Sequence, residues 1–298
     1  MFDENRLRVF AAIAREGSVT AAATALHYAQ PSVSHHLARL EAEVGVPLVQ
    51  RVGRGIRLTA AGRLLADRAE EILGRIDSAR AELAAHAGLN AGHVRLVAFP
   101  SALAALVPAA AAAFGAAYPD IELALTEAEP PEALAALRRG EVDVALAFRH
   151  GPPGEQGNHT VTTLLEEPMY LVSPAGRSRP RSPTDLRTYS DQRWIAGCER
   201  CRAHLLSACE QRGFTPAIGF ETDDYVAAQA LVAAGLGIST LPGLALRAHL
   251  NPGVRIDRIP GDRRFVDAIT YGAPPAPAPV DAFLEVLKDT FAEPVQWP

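Results

Sequence analysis

The segment from Ser18 to Leu48 constrains the fold of this chain more than any other stretch. Ser18 is suited to begin a helix, because its hydroxyl can accept a hydrogen bond from a free backbone N–H of the first turn. After a turn at residues 27–29, Gln30 and Pro31 begin a second helix, where proline's fixed φ and missing N–H are tolerated. Apolar residues then recur at helical spacing and share one face, at Val33, Leu37, Leu40 and Val44. Two short helices joined by a tight turn are predicted.

The other side of the second helix is polar over its N-terminal half. In a helix-turn-helix motif this half docks against base edges in the major groove of DNA. The candidate DNA-binding residues are Ser18, Gln30, Pro31, Ser32, Ser34, His35 and Arg39. An amphipathic helix pair in an unrelated fold is the alternative, and the flanking sequence argues against it.

Both flanks of the helix pair fit a winged helix-turn-helix. Upstream, an apolar stripe marks a first helix that ends near Gly17 and closes a small core, with Leu7, Phe10, Ile13 and Ala14. Downstream, residues 49–58 read as strand, glycine turn and strand, a wing whose Arg51, Arg54 and Arg57 can reach phosphates or a narrow minor groove. Residues 1–63 contain eight arginines and five acidic residues, so this segment has a net charge of +3, whereas the net charge of the whole chain is −5. This charge asymmetry places the nucleic-acid footprint at the N-terminus.

A long helical run follows Thr59 and carries a heptad seam. Its apolar residues alternate spacings of four and three, at Leu65, Ala69, Ile72, Ile76, Ala79 and Leu83. A single helix has nothing in this segment against which to bury such a stripe, so the same helix of a second subunit is the expected partner. A homodimer with twofold-related DNA modules predicts a near-palindromic operator. The alternative is a helix that lies on the C-terminal part of its own chain.

Beyond Ala91 the pattern changes to alternating strands and helices in two successive sets. The predicted strands are 93–99, 121–127, 142–148, 169–173, 194–197, 217–221 and 237–241. The predicted helices are 102–117, 131–138, 200–212 and 224–234. Such repeats imply parallel strands with right-handed crossovers in two lobes, joined near 166–168 and again near 241–242. A final amphipathic helix carries Phe283, Leu287 and Phe291.

The chain resembles the LysR-type transcriptional regulators along essentially its whole length. The matching N-terminal motifs are Gly17-Ser18, Ala22-Ala23, residues 30–34, Leu40-Glu41, residues 45–48, Arg51 and residues 58–62. In the second lobe, residues 220–225, residues 231–238 and Leu241-Pro242 match. Val19 and Val49 depart from the family, which usually has phenylalanine there, and these departures concern packing volume rather than DNA binding.

The resemblance implies a fold of the α plus α/β class with three parts. A winged helix-turn-helix is expected over residues 1–62, a linker and dimerisation helix over 63–91, and a periplasmic-binding-protein-like effector domain over 92–298. Lobe 1 takes about 92–166 and 267–298, and lobe 2 about 167–266. The implied partners are double-stranded operator DNA, a small-molecule effector in the cleft between the lobes and further copies of the chain as a homodimer or homotetramer, with RNA polymerase as an additional candidate. The start MFDENRLRVF has acids where a signal peptide needs a basic region, and the alanine-rich 102–118 contains Pro108, so a cytoplasmic chain without a membrane partner is expected.

Effector-binding candidates follow from the geometry of α/β sheets. Ligands bind beyond the carboxyl ends of the strands, where helices begin. That rule selects Pro100, Ser101, Phe148, Arg149, Cys198, Thr222 and Asp223. Free N–H groups at helix starts favour a carboxylate or similar anion, with which Arg149 could pair. Locally, the same residues could serve only as N-caps and solvated charge.

Three cysteines leave alternatives open. Cys198 and Cys201 lie at a helix N-terminus beside Arg200 and Arg202, which is expected to lower the pKa of one of the two thiols. The leading interpretation is that both shape the effector pocket, and a thiol-based redox-sensing transcription factor is the alternative. Zinc is disfavoured, because Cys198, Cys201, His204 and Cys209 would all lie on one helix, and Cys209 is expected to pack inward.

No enzyme class competes with a regulator. Residues 235–237 lack the third glycine of a phosphate-binding loop, and no serine, histidine and aspartate set has a nucleophile elbow. No catalytic residue, metal site or cofactor is predicted. A cytosolic solute-binding protein is a more remote alternative, since the C-terminal two thirds alone would fit it, and the N-terminal domain argues against it.

Overall fold

The computed structural model describes residues 3–52, 55–86, 92–152, 154, 158–176, 185–291 and 295–298. They form two compact units, one of residues 1–91 with 135–143 and one of residues 92–134 with 144–298. Among the described helices, none combines the length and the apolarity needed to cross a membrane.

Among the described residues, the first unit contains four complete helices, a two-stranded hairpin and residues 135–138, which end a helix that begins in the second unit. Its elements are α1 (Glu4–Glu16), α2 (Val19–Ala25), α3 (Gln30–Val44), β1 (Val49–Val52), β2 (Gly55–Leu58) and α4 (Ala60–His86). The Ser18 hydroxyl accepts a 3.4 Å hydrogen bond from the N–H of Ala21, and α1 ends at Gly17 with φ 63°. Pro31 lies in the first turn of α3, and β1 pairs antiparallel with β2. The predicted helix pair, its cap and the wing strands are therefore all present.

The core of the first unit uses one face of each helix. Phe10 and Ile13 of α1 meet Val33 and Leu40 of α3, and all four are buried. Helix α4 adds Leu65, Ala69 and Leu73 to the same core. Two side chains hold the start of the hairpin: Glu41 accepts the N–H of Leu48 at 2.8 Å, and Thr59 donates to the carbonyl of Pro47 at 2.8 Å.

The second unit is built on one eight-stranded sheet in the order β4-β3-β5-β10-β6-β9-β7-β8. Its strands are β3 (His93–Ala98), β4 (Glu122–Glu127), β5 (Val144–Arg149), β6 (His159–Pro174), β7 (Arg193–Ala196), β8 (Ala217–Glu221), β9 (Ile238–Pro242) and β10 (Val254–Tyr271). Its helices are α5 (Pro100–Ala105), α6 (Val107–Ala117), α7 (Pro130–Arg138), α8 (Glu199–Glu210), α9 (Tyr225–Ala233), α10 (Gly243–Ala248) and α11 (Ala278–Thr290). A 3₁₀ turn spans Leu186–Tyr189. Parallel pairing occurs within each set of short strands, β3 with β4 and β5, and β7 with β8 and β9.

Five details differ from the sequence predictions. The single helix predicted over 102–117 is two helices, because Pro108 follows directly on the break at Leu106 and supplies no backbone N–H. Strand β6 is much longer than the predicted 169–173, and β10 was not predicted at all. Strands β6 and β10 pair antiparallel with each other, so the sheet is mixed rather than parallel. The second crossing between the lobes lies in β10, at the register shift between Arg258 and Arg263, and not at Leu241–Pro242.

The long strands divide the second unit into the two expected lobes. One lobe packs Phe99, Phe114 and Phe283 around β3 and β5. The other has its core around Trp194 and Leu205, with Val232 in an adjoining cluster. Because β6 and β10 run through both lobes, side chains at their crossing lie beside the cleft between the lobes.

Candidate functional site

The polar side of α3 is open to solvent. Gln30, Pro31, Ser32, His35 and Arg39 are exposed, and Ser34 is half-buried. The amide of Gln30 donates to the Ser34 hydroxyl at 2.9 Å, which aligns two hydrogen-bonding side chains along one turn. The opposite face is sealed, since Val33 and Leu40 are buried to 0 % exposure. The core therefore fixes the orientation of α3, and the polar strip on its other face is exposed to solvent.

The other candidate DNA-binding residues lie before and after α3 in the sequence. Ser18 is half-buried and is occupied as the cap of α2, and Arg57 is exposed on β2. Arg54 lies outside the described residues, and for Arg51 only the backbone, in β1, is described. The structure thus provides one described wing arginine whose side chain is free to reach a ligand on this surface.

The heptad stripe of α4 is divided between two environments. Leu65 and Ala69 are buried in the core of the first unit, and ion pairs from Arg8 to Asp77 and from Arg80 to Glu4 hold α4 against α1. Farther along, Ile72 is 39 % exposed and Leu83 is 71 % exposed. Ala79 is exposed as well. The prediction of a stripe that needs a partner along its whole length is wrong for the first two turns, because α1 already covers them.

Helix α4 also touches a turn that belongs to the same compact unit. A Cβ on Gly74 would lie 2.6 Å from the carbonyl oxygen of Arg138, so the helix backbone approaches the 138–140 turn closely. At 100° per residue Gly74 lies about 200° around the helix from Ile72. This contact is therefore on the side opposite the exposed stripe and leaves that stripe uncovered among the described residues.

A small cavity of about 60 Å³ lies between the two lobes of the second unit. Lobe 1 contributes the end of β3, the start of α5 and the end of β5, and lobe 2 contributes the starts of α8 and α9 and the end of β9. Six of the seven candidate effector residues line it: Pro100, Ser101, Phe148, Cys198, Thr222 and Asp223. The sequence rule brought together residues from four different strand ends.

The seventh candidate, Arg149, lies elsewhere. Its guanidinium donates to Asp267 at 2.8 Å and stacks 4.3 Å from the centre of the Phe265 ring. It lines a separate cavity with Arg200 and His159. Residues 148 and 149 are neighbours on β5 and point to opposite faces of the sheet, so only one of them can face the cleft.

A buried ion pair closes the floor of the cavity. Arg264 of β10 donates to Glu167 of β6 at 2.6 Å and to the Ser101 hydroxyl at 3.0 Å. The second oxygen of Glu167 accepts the N–H of Leu244 at 2.7 Å, and both charged side chains are at most 3 % exposed. The guanidinium also lies 4.3 Å from the centre of the Phe148 ring. Among the described residues, Arg264 is the only arginine that lines the cavity, and its charge is neutralised by an internal partner.

An acidic side chain faces the same space. One carboxylate oxygen of Glu129 is buried and has no hydrogen-bond partner among the described residues. Burial raises the pKa of Glu129, and a hydrogen bond with the thiol of Cys198 partly opposes this. Glu129 directly precedes α7, two residues past the end of β4, so the strand-end rule could have found it. Arg264 could not be found in this way, because β10 was not recognised.

The two cavity thiols form an asymmetric pair. Cys198 and Cys201 have their sulfur atoms 3.3 Å apart, with Cys198 as the donor. That hydrogen bond lowers the pKa of Cys201 and, with burial, raises the pKa of Cys198. Cys209 is fully buried in the lobe 2 core, as expected, and burial raises its pKa to about 11. The predicted low-pKa thiol is therefore Cys201, and its acidity comes first from its neighbouring thiol.

Comparison with known proteins gives two family matches that together cover nearly the whole chain. Residues 5–63 match the bacterial regulatory helix-turn-helix proteins of the lysR family, and residues 87–292 match the LysR substrate binding domain. A curated relative, the HTH-type transcriptional regulator GltR of Bacillus subtilis, is 31 % identical over 289 residues, which is 96 % of each chain.

Solved structures of full length share the fold. CbnR in complex with its target DNA matches with a TM-score of 0.61 at 24 % identity, covering 97 % of this chain and 100 % of that one. A full-length OxyR variant from Pseudomonas aeruginosa matches with a TM-score of 0.65 at 25 % identity, covering 98 % and 95 %. The family matches, the relative and the shared architecture agree, and the chain belongs to the LysR family of DNA-binding transcriptional regulators.

Proposed function

We propose that this regulator binds a near-palindromic operator as a homodimer, or as a tetramer built from two dimers, and that a small molecule in the interlobe cavity controls it. The observation that carries the DNA assignment is the exposed polar strip of α3, which stands on a face fixed by the buried Val33 and Leu40. The N-terminal half of such a helix reads base edges, while arginines on a wing contact phosphates. The DNA-binding role supports a cytoplasmic location, and RNA polymerase is a further candidate partner.

Specific and general contacts should separate in a binding experiment. We expect Arg39→Ala to weaken binding to the operator about tenfold or more and to leave binding to unrelated DNA nearly unchanged, because a lost base contact affects one sequence. Arg57→Ala should weaken binding to every sequence and reduce the slope of log K against log salt by about one. The measurement is fluorescence anisotropy with an operator selected by the wild-type protein from a random-sequence library. Equal losses on specific and unrelated DNA for Arg39→Ala would contradict its assignment to base reading.

For the effector we propose a small, largely apolar molecule with one polar end. The cavity is small, about 60 Å³, and the aromatic residues Phe99, Phe148 and Tyr225 line it. Hydroxyls of Ser101 and Thr222 and the uncapped N-terminus of α8 supply donors for a carboxylate. Since Arg264 is already paired with Glu167, a single carboxylate fits this lining better than a dianion.

Filling the cavity should abolish the effector response. A ligand found by thermal-shift screening of small acids and aromatics should raise the Tm of the wild type by about 5 °C at 100 times its Kd. Thr240, on the cavity wall, offers a matched pair of variants: Thr240→Trp should remove the ligand's shift, and Thr240→Ser should keep it. A full shift in Thr240→Trp would place the effector outside this cavity.

The thiol pair supports a second candidate function, redox sensing. The 3.3 Å separation of the Cys198 and Cys201 sulfurs permits a disulfide after small rotations, and Cys201 has the lowered pKa that an attacking thiolate needs. A peroxide would oxidise Cys201 to a sulfenic acid and release water, and Cys198 would then close the disulfide and release a second water. Operator affinity with and without peroxide in Cys198→Ser and Cys201→Ser decides between the two candidates. An unchanged response in both variants excludes the thiol mechanism.

A further inference from the structure

Three metal-ligating side chains from different parts of the second unit converge at the back of the interlobe crossing. His150 follows β5 in lobe 1, His204 lies on α8 in lobe 2, and Asp262 lies in β10 at the irregular stretch where that strand passes between the lobes. One candidate ligand atom from each residue can be chosen so that all three lie within 4.8 Å of one another. The cluster is distinct from the thiol-lined cavity described above, since none of its residues lines that cavity.

The contacts within the cluster leave one residue unsatisfied. His204 Nε2 lies 2.8 Å from Asp262 Oδ1, and the rings of His150 and His204 stack with centroids 3.8 Å apart and planes 9° from parallel. Both ring nitrogens of His150 are buried and have no hydrogen-bond partner among the described residues. A buried polar atom without a partner is costly, so such a group in a native fold calls for a ligand, a water or an ion.

We propose that His150, His204 and Asp262 bind a divalent transition-metal ion, with Zn²⁺ as the probe of first choice. Two imidazole nitrogens and one carboxylate oxygen form a donor set that binds Zn²⁺, Co²⁺ and Ni²⁺ more favourably than Mg²⁺ or Ca²⁺. Metal–ligand bonds of about 2.0–2.2 Å require the three atoms to lie closer together than they do now, so the proposal includes a small rearrangement of the two histidine rings.

The electrostatic surroundings fit a metal bound to neutral imidazoles. Burial and the nearby His204, Arg264 and Arg200 lower the pKa of His150 to about 3, so its ring is uncharged and a nitrogen lone pair is available at neutral pH. The two arginines would repel a free cation, and each is engaged: Arg264 is paired with Glu167, and Arg200 donates to the carbonyl of Phe148 at 3.0 Å. Asp262 supplies the compensating negative charge.

The proposed metal site has room for further ligands and lies where the two lobes meet. An open pocket borders all three side chains, so water or an effector group can complete a four- or five-coordinate ion. Because one ligand comes from each lobe and the third from the crossing strand, a bound ion would tie the lobes together and fix the angle between them. Metal binding would then act beside the proposed small-molecule effector and through a separate site.

The test measures Zn²⁺ binding by the untagged, EDTA-treated full-length protein in the absence of DNA. Isothermal titration with ZnCl₂ should show one site per chain in the wild type. His150→Gln, His204→Gln and Asp262→Asn should each weaken that site at least about tenfold. Asp262→Asn keeps the side-chain shape, so its fold can be matched to the wild type by circular dichroism.

Two controls make every outcome decisive. His93→Gln removes an exposed histidine of the same domain and should leave binding unchanged. Cys198→Ser with Cys201→Ser removes the two cavity thiols and should also leave it unchanged, and the Co²⁺-loaded wild type should show no thiolate-to-cobalt charge-transfer band. Absence of Zn²⁺ binding in the wild type, equal affinity in the three cluster variants, or loss of binding in the cysteine variant would each overturn the proposal.

Discussion

Arg264→Met is expected to destabilise the second unit by about 3–5 kcal/mol, because it leaves the carboxylate of Glu167 buried without its cation. Glu167 is 0 % exposed, and its only remaining described partner would be the N–H of Leu244. The loss should appear as a lower urea midpoint. Both tryptophans of the chain, Trp194 and Trp297, belong to this unit, so tryptophan fluorescence follows its unfolding separately from that of the first unit.

The matched control is the double variant Arg264→Met with Glu167→Gln. Glutamine removes the stranded charge and keeps an oxygen to accept the N–H of Leu244, so the double variant should recover a large part of the lost stability. Glu167→Gln alone should cost less than Arg264→Met, because the guanidinium still donates to Ser101 and lies against the rings of Phe99 and Phe148. A double variant as unstable as Arg264→Met would show that lost packing, and not the uncompensated charge, governs this site.

The same ion pair explains why part of the fold could not be predicted from the sequence. Strand β10 carries Arg255, Asp257, Arg258, Asp262, Arg263 and Arg264, so the apolar alternation by which strands are recognised breaks off after Ile256. Its charges are instead matched within the fold, as Asp257 with Arg255 and Arg264 with Glu167. Ion pairs between residues nearly one hundred positions apart depend on tertiary contacts, and a local sequence pattern cannot predict them.

Elements with local causes were predicted well. The helix pair of the first unit depends on Ser18, Pro31 and a single apolar stripe, and each acts within one or two turns. Strand β5 is buried on both sides of the sheet and reads as an apolar run from Val144 to Phe148. The strand-end rule selected, from topology alone, six residues that line one cavity.

Residues that depend on which face of a strand is buried were predicted less well. Arg149 follows Phe148 at the end of β5, and the register that turns Phe148 into the cavity turns Arg149 toward Asp267. The His150, His204 and Asp262 cluster was missed for a related reason. Its members are separated by more than fifty residues and meet only because β10 passes between the lobes.

The exposed end of the α4 stripe is expected to form the contact between two subunits. Ile72 and Leu83 differ by 11 residues, which brings them to nearly the same angle on a helix, and Ile76 and Ala79 lie between them. Replacing both Ile72 and Leu83 by glutamate should convert the proposed dimer to a monomer and lower operator affinity at least about a hundredfold, because the gain from binding two half-sites together is lost. Sedimentation velocity gives the oligomeric state, and anisotropy with the selected operator gives the affinity.

The double glutamate variant should leave the folded monomer intact, since both side chains already face solvent and the core contacts of α4 are made by Leu65, Ala69 and Leu73. The matched control is Ile72→Leu with Leu83→Ile, which keeps the apolar stripe and should stay dimeric with wild-type affinity. Ala79→Glu lies on the same face and should weaken the dimer in the same direction. A double glutamate variant that remains a dimer and binds its operator normally would show that this stripe is covered by something other than a second α4, and the twofold arrangement of the DNA-reading helices would then have to come from the second unit.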